Sequence, residues 1–183
     1  MKKASKYERI VAYTLIALLR PFNMRYATAV YIYFLRRWGT HFTGRPAYIA
    51  GTVSIDGTDF SLITLGEGVT ISGNTRILTH DWSPYTVGKA MEIYTTSPLG
   101  RILPVKIGDY SFVGTRSIVM PGTNIGRGCL IGAGSVVRGS IPDFSVVIGN
   151  PGQIIGDSRE YIAKKFPEFA DKISQSRGSV TGS

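Results

Sequence analysis

A six-residue repeat dominates the C-terminal half of the chain. From Ile107 the sequence runs IGDYSF, VGTRSI, VMPGTN, IGRGCL, IGAGSV and VRGSIP. The first position of every hexad is aliphatic, and the fifth is small except in the last hexad, where it is Ile141. An α-helix repeats every 3.6 residues and a strand every two, so neither produces a period of six. The repeat predicts a parallel β-helix, an all-β solenoid in which each hexad supplies one short strand and one corner.

Three hexads are expected to close a triangular coil, with the first-position side chains stacked in an inner column. Those side chains are Ile107, Val113, Val119, Ile125, Ile131 and Val137. The glycines that follow them are expected to relax corners where φ is positive; they are Gly108, Gly114, Gly126 and Gly132. A weaker cadence comes earlier in the chain, at Ile49, Ile55, Leu65, Ile71 and Ile77. Its long step between Ile55 and Leu65 predicts a bulge or small insertion near Thr58–Leu62.

The cadence disappears between Ile77 and Ile107, and Ser83–Pro104 contains no repeat. A long loop inside a compact array is usually functional or disordered. His80 directly precedes this loop, and an imidazole can accept a proton near neutral pH. His80 is therefore the candidate catalytic base, whereas His41, which precedes the repeats, is interpreted as structural.

The hexads, the following IPDFSVVIGNP and a histidine before an extruded loop together resemble the hexapeptide-repeat acetyltransferases. The similar branch contains maltose, galactoside and xenobiotic acetyltransferases and many polysaccharide O-acetyltransferases. The resemblance covers roughly residues 47–155. It implies a left-handed parallel β-helix, a homotrimer with active sites between neighbouring subunits, acetyl-CoA as acyl donor and no metal.

The resemblance also implies roles for particular residues. His80 would deprotonate an acceptor hydroxyl as that oxygen attacks the thioester, and a backbone N–H would stabilise the resulting oxyanion. Asp81 adjoins His80 but adjacent side chains point differently, so the group that orients His80 stays open. Arg138 would supply phosphate-binding charge in place of a lysine that the family often carries. The residues implied to contact acetyl-CoA are Thr115, Gly132, Ala133 and Arg138, and those expected to stack on a sugar are Trp82, Tyr85 and Tyr94.

The net charge of +9 is concentrated in residues 1–45, which hold nine basic side chains and one acid, Glu8. Two apolar runs lie in this segment, Ile10–Leu19 and Tyr26–Leu35, and Pro21 separates them. Each run is about half of the roughly 20 residues that a spanning helix needs. The segment is expected to form a helical pair. Either the pair packs on the main domain or a neighbouring subunit, or residues 1–40 associate peripherally with a membrane. Arg20 directly after the first run disfavours a secretory signal.

The expected organisation is a helical segment at 1–45, a β-helix at 46–155 with its extruded loop at 83–104, and a C-terminal helix with a flexible tail at 156–183. The helix is expected to start at Asp157 and to end or kink near Pro167, and the tail covers Ser174–Ser183. The single cysteine, Cys129, excludes an intramolecular disulfide and favours a cytoplasmic protein, at the inner face of the membrane if the anchor forms. Because Cys129 occupies a small inward slot, it is interpreted as a space-filler.

The expected function is O-acetylation of a sugar hydroxyl on a cell-surface polysaccharide or its precursor. Two alternatives stay open, N-acetylation of an amino-sugar nucleotide and a non-catalytic β-helical scaffold. A β-helical carbonic anhydrase needs three histidine ligands on zinc, and the chain has two histidines. Nucleic-acid binding is not expected, because the chain beyond residue 45 carries twelve basic and eleven acidic residues and therefore lacks an overall basic character.

Overall fold

The computed structural model describes residues 5–56 and 59–178, and these form a three-sided parallel β-helix with helices at both ends. The helices are α1 (Lys6–Leu19), α2 (Met24–Trp38), α3 (Ser83–Ala90), α4 (Ser158–Lys165) and α5 (Ala170–Gly178). The strands are β1 (His41–Phe42), β2 (Tyr48–Ile49), β3 (Ser54–Ile55), β4 (Ile63–Leu65), β5 (Thr70–Ile71), β6 (Arg76–Ile77), β7 (His80–Asp81), β8 (Arg101–Ile102), β9 (Val105–Ile107), β10 (Phe112–Val113), β11 (Ile118–Val119), β12 (Asn124–Ile125), β13 (Leu130–Ile131), β14 (Val136–Val137), β15 (Ser140–Ile141), β16 (Ser145–Ile148) and β17 (Gln153–Asp157).

Successive strands of the coil take turns on three sheets. The first sheet contains β1, β4, β9, β12 and β15, the second β2, β5, β10, β13, β16 and β17, and the third β3, β6, β11 and β14. Neighbouring coil strands pair in parallel three hexads apart, as where Phe112 lies beside Leu130. β17 closes the second sheet by pairing antiparallel with β16. The parallel β-helix predicted from the six-residue period is confirmed.

The first-position side chains form the predicted inner column and are almost completely buried. The small fifth-position residues are buried beside them, and the serine and threonine hydroxyls among them bond to the main chain of the corners. Ser111 Oγ donates to the carbonyl of Gly126 at 2.7 Å, and Ser117 Oγ to that of Gly132 at 2.9 Å. A buried carbonyl without a partner is costly, so the fifth position selects for small hydroxyl side chains as well as for small volume.

The glycines of the hexads are needed for a different reason from the one expected. Positive φ occurs at the fourth position, at Gly128 with φ +63° and also at Tyr110 with φ +56°. The second-position glycines instead allow close approach of successive coils. A Cβ on Gly108 would lie 2.6 Å from the carbonyl carbon of Gly126. The expectation that the second-position glycines relax a positive φ is therefore wrong.

Ile141 is a first-position residue and not a fifth-position exception. It pairs with Ile125 in the first sheet, so the corner between Val137 and Ile141 is two residues shorter than a hexad. Gly139, with φ +73°, lies in this shortened corner, and such a conformation is readily adopted by glycine.

The N-terminal helices form a pair that packs on the first coil. Asn23 caps α2 after the turn that contains Pro21. Thr28 Oγ1 donates to the carbonyl of Ile49 at 3.1 Å, and Tyr31 Oη donates to that of Val53 at 2.8 Å. The predicted helical pair is confirmed, and its inner side packs on the first coil. Within residues 5–56 and 59–178, no helix has the length and apolar character needed to cross a membrane.

The edges of the coil differ in detail from the sequence expectations. β1 pairs with β4, so the coil includes His41–Phe42. A 3₁₀ turn at Phe60–Leu62 lies in the expected insertion, while Thr58 is outside the described residues. Asp157 caps α4, which ends before Pro167 as predicted. α5 extends to Gly178, into the segment expected to be a flexible tail from Ser174; residues 179–183 are not described.

Candidate active site

The chain leaves the three sheets directly after β6. Leu78 still donates its N–H to Val119 of the next coil, and Leu103 donates to Thr79 where the chain returns. Between these points, β7 and β8 pair antiparallel and α3 follows β7. The segment expected to be an irregular loop therefore contains a helix and is held together at its base by a two-stranded ribbon.

His80 on β7 is oriented by a carboxylate from the preceding coil. Its Nδ1 lies 3.1 Å from Asp56 Oδ1, and the same oxygen accepts the N–H of Thr79 at 3.3 Å. Asp56 is in reach because Ile55 and Ile77 pair in adjacent coils, one residue before Asp56 and three before His80. An ionised carboxylate only accepts hydrogen bonds. A proton on Nδ1 would face this acceptor and leave the lone pair on Nε2, the tautomer that a general base requires.

Asp81 does not orient His80; its carboxylate accepts a hydrogen bond from the first residue of α3. Its Oδ1 accepts the N–H of Ser83 at 2.9 Å. Hydrogen bonding by the Ser83 hydroxyl and N–H lowers the pKa of the Asp81 carboxyl, and Arg101, which is opposite on β8, lowers it further. Asp81 is therefore engaged at α3 and not with the His80 ring, as the sequence leads one to expect.

The three aromatic residues expected to contact a sugar lie in different surroundings. The Trp82 ring is centred 5.9 Å from the His80 ring and is 43% exposed. It packs closely on Gly100, where a Cβ would be 2.0 Å from the indole ring. Tyr85 is in the first turn of α3 under the Lys89 ammonium, which is 4.3 Å from the ring centre. Tyr94 follows α3 and is 80% exposed. Trp82 is thus the aromatic side chain in ring contact with His80.

A cavity of about 370 Å³ lies beside the base of this segment. Arg101 of β8 and Arg138 of the corner between the third and first sheets bring two exposed guanidinium groups to its wall. Asp81 of β7 contributes an acid. The cavity lining comprises Asp81, Arg101, Leu103, Met120, Pro121, Gly122, Arg138 and Gly139. Its two arginines could bind an anionic group close to the His80 corner.

The residues implied to contact acetyl-CoA divide between two corners of the coil. Thr115, Gly132 and Ala133 come together, because Val113 and Ile131 pair immediately before them. A Cβ on Gly114 would be 2.6 Å from the amide nitrogen of Ala133. Arg138 is one strand further along, after β14. The structure therefore groups the three small residues and assigns Arg138 to the cavity.

Two other residues considered from the sequence lie away from this arrangement. His41 is exposed on β1. Cys129 is buried in the coil, where its thiol lies 3.0 Å from the carbonyl of Pro142, and burial raises the pKa of that thiol. Among the described residues, no three His, Cys, Asp or Glu side chains gather in an arrangement that could hold a metal ion.

Asp56 and Arg101 are the functional candidates that sequence reasoning missed. Asp56 had a detectable signal, since it follows an aliphatic residue of the weak cadence one coil before His80. Arg101 had none, because its place opposite Asp81 depends on the antiparallel pairing of β7 and β8.

Comparison with known proteins places the repeat in a described family. Residues 104–139 match the bacterial transferase hexapeptide (six repeats). The chain is 36% identical over 96 residues to the putative lipopolysaccharide biosynthesis O-acetyl transferase WbbJ of Escherichia coli, covering 51% of this chain and 49% of that protein. It is 32% identical over 100 residues to the putative acetyltransferase YvoF of Bacillus subtilis, covering 54% and 49%. The matches thus span about half the length of these relatives.

Solved structures share the fold over most of the chain. A maltose O-acetyltransferase from Clostridium difficile superposes with a TM-score of 0.54 at 24% identity, covering 82% of this chain and 86% of that one. A hexapeptide-repeat acetyltransferase from Vibrio cholerae, solved with acetyl coenzyme A, gives 0.52 at 21%, covering 84% and 90%. A fold of this kind implies left-handed coils. The chain carries the bacterial transferase hexapeptide repeat and is similar, in sequence over about half its length and in fold over most of it, to the hexapeptide-repeat acetyltransferases.

Proposed function

We propose that the chain is an acetyl-CoA-dependent O-acetyltransferase that modifies a sugar hydroxyl of a cell-surface polysaccharide or its precursor. The observation that carries the proposal is the 3.1 Å contact between His80 Nδ1 and Asp56 Oδ1, which leaves Nε2 available as a base. It is supported by the names of the sequence relatives, which are acetyltransferases and include one O-acetyl transferase of lipopolysaccharide biosynthesis.

The proposed reaction gives His80 both proton transfers. Nε2 accepts the proton of the acceptor hydroxyl while that oxygen forms a bond to the acyl carbon of the thioester. The carbon–sulfur bond then breaks, and the imidazolium returns the proton to the departing thiolate. Asp56 keeps the ring in one orientation and balances the positive charge that His80 carries between the two steps.

Donor binding is proposed at the corner of Thr115, Gly132 and Ala133, with Arg138 near a phosphate. The fit rests on the small side chains of that corner and on the exposed guanidinium of Arg138. Arginine suits phosphate because its planar group donates two parallel hydrogen bonds. Acetyl-CoA would supply the activated acyl group.

Acceptor binding is proposed beside Trp82, whose exposed face could stack on a sugar ring. Tyr85 and Tyr94 would extend that surface along the segment 83–104. We also propose a homotrimer in which the segment of one subunit helps to close the site of its neighbour.

The test is release of CoA from acetyl-CoA with a panel of glycans and nucleotide sugars. His80→Ala should lower kcat by about 10²–10⁴-fold, the usual contribution of a general base, and His41→Ala is the matched control. Equal losses in the two variants, or a fully active His80→Ala, would contradict the assignment of the base. Acetylation of an amino-sugar nucleotide in preference to every hydroxyl acceptor would replace O-acetylation by N-acetylation. A chain that neither binds acetyl-CoA nor releases CoA would be a scaffold.

A further inference from the structure

Helix α1 is apolar on two opposite sides. Ala12 and Ile16 face inward and are buried against α2 and the first coil, where a Cβ on Gly51 would lie 2.3 Å from Ile16. On the other side, Val11 and Leu18 are exposed. No charged residue interrupts Ile10–Leu19. A helix with apolar residues on opposite sides is normally covered on both of them, so the outward side of Ile10–Leu19 suits a partner.

The outward residues form a continuous stripe, because they recur every three or four positions along the helix. The stripe continues past the end of α1 into the turn, where Phe22 is 88% exposed. We call this stripe the outer face; it comprises Tyr7, Ile10, Val11, Leu15, Leu18 and Phe22. Single exposed apolar side chains are ordinary, whereas a contiguous patch of them marks an interaction surface.

Positive charge borders the outer face. Lys6 and Arg20 are exposed at the two ends of the stripe, and Arg25 is exposed in the first turn of α2. The only acid among residues 1–45 is Glu8, and Arg37 holds it at 2.8 Å. The border therefore complements a negatively charged surface. A second copy of the chain would bring the same positive charge and would be repelled.

We propose that the outer face binds the surface of an anionic phospholipid bilayer. α1 lies in the plane of the interface, with its stripe among the upper acyl chains and the basic residues on the headgroups. With 14 residues the helix is about 21 Å long, which suits an in-plane arrangement. The docking follows from α1 alone and does not depend on the proposed reaction. If that reaction is correct, the docking holds the active site near a lipid-linked acceptor.

The test is co-sedimentation of the full chain with phosphatidylcholine vesicles that contain or lack phosphatidylglycerol. We expect binding to the anionic vesicles. Leu18→Gln with Phe22→Gln should weaken it about tenfold or more, because two apolar side chains leave the acyl boundary. Lys6→Gln with Arg20→Gln should weaken it about fivefold for each basic residue removed. The matched control is Ile155→Gln with Phe169→Gln, two exposed apolar residues at the C-terminal end, which should leave binding unchanged.

Three results would overturn the docking: no sedimentation with either vesicle, equal loss in the control variant, or equal binding to vesicles with and without the anionic lipid. A lower molar mass by light scattering for the Leu18→Gln, Phe22→Gln variant would instead make the outer face an interface between copies. CoA release with a water-soluble acceptor should be the same for all these variants. Failure of the docking is thereby separated from failure of the proposed reaction.

Discussion

The uninterrupted coils from β9 to β16 and the segment between β6 and β9 contrast in how their side chains are held. In the coils, position in the hexad decides the environment: Ile107, Ile125 and Ile131 are fully buried in equivalent places. In the segment each side chain has its own arrangement, with His80 on Asp56 and Trp82 on Gly100. The regular coils bury their first-position side chains in equivalent places. The interruption instead places exposed functional groups on a rigid framework.

The candidate base and its partner lie where two irregularities stack on each other. The insertion after Ile55 and the segment after Ile77 leave the coil at paired positions of β3 and β6. Asp56 directly follows β3, and His80 begins β7. Two interruptions of the repeat at the same corner thus bring Asp56 and His80 together. An uninterrupted series of hexads would not place them side by side.

The largest effect that tests this contrast concerns stability. Ile125→Ala in the inner column should lower the free energy of unfolding by about 2–5 kcal/mol, since the coil cannot collapse around the missing atoms. Ile102→Ala on β8 removes the same atoms from a side chain that is 59% exposed and should cost less than about 0.5 kcal/mol. Urea unfolding followed by circular dichroism measures both. Equal losses would mean that the segment is as much a part of the core as the coils.

The second effect concerns the pair of Asp56 and His80. Asp56→Ala should lower kcat roughly a hundredfold, because the ring loses both its orientation and its counter-charge. The KM for acetyl-CoA should stay unchanged, since Asp56 is not among the residues proposed to bind it. Asp56→Asn keeps an oxygen that can accept from both His80 Nδ1–H and the Thr79 N–H, so it should retain more activity than the alanine variant.

The control for the pair is Asp59→Ala in the same insertion. Asp59 accepts the Ser61 N–H at 3.1 Å and caps the 3₁₀ turn, so its loss should affect stability and leave kcat unchanged. If Asp56→Asn is no better than Asp56→Ala, or if Asp59→Ala lowers kcat as much, Asp56 has no positioning role.

The same contrast explains how far the sequence predicts the molecule. The hexads from Ile107 to Val137 repeat strictly, so the coil, its buried column and its small buried positions follow from spacing alone. Asp56 follows an aliphatic residue of the weak cadence, but the long step after Ile55 breaks the spacing that would align it with the corner of His80. The position of Arg101 cannot be predicted from the sequence, because it depends on the pairing of β7 with β8. Each of these strands has two residues, which is too short to show a sequence pattern. Ile141 is misassigned because a two-residue deletion in the corner at Gly139 shifts the repeat.

The smallest expected effect is that of substituting Cys129. Its side chain lies in the coil interior, which is expected to take no part in the reaction. Burial raises the pKa of this thiol, so at neutral pH it stays protonated and its reactive thiolate is scarce. As the only cysteine in the chain, it should label with a thiol reagent only after unfolding. Cys129→Ser keeps a small donor for the Pro142 carbonyl and should change kcat by less than about twofold, since the residue contacts none of the proposed site. Fast labelling of the folded chain, together with a large loss of kcat in Cys129→Ser, would show that the coil interior takes part in the reaction. The contrast between the coils and the segment from β6 to β9 would then not hold.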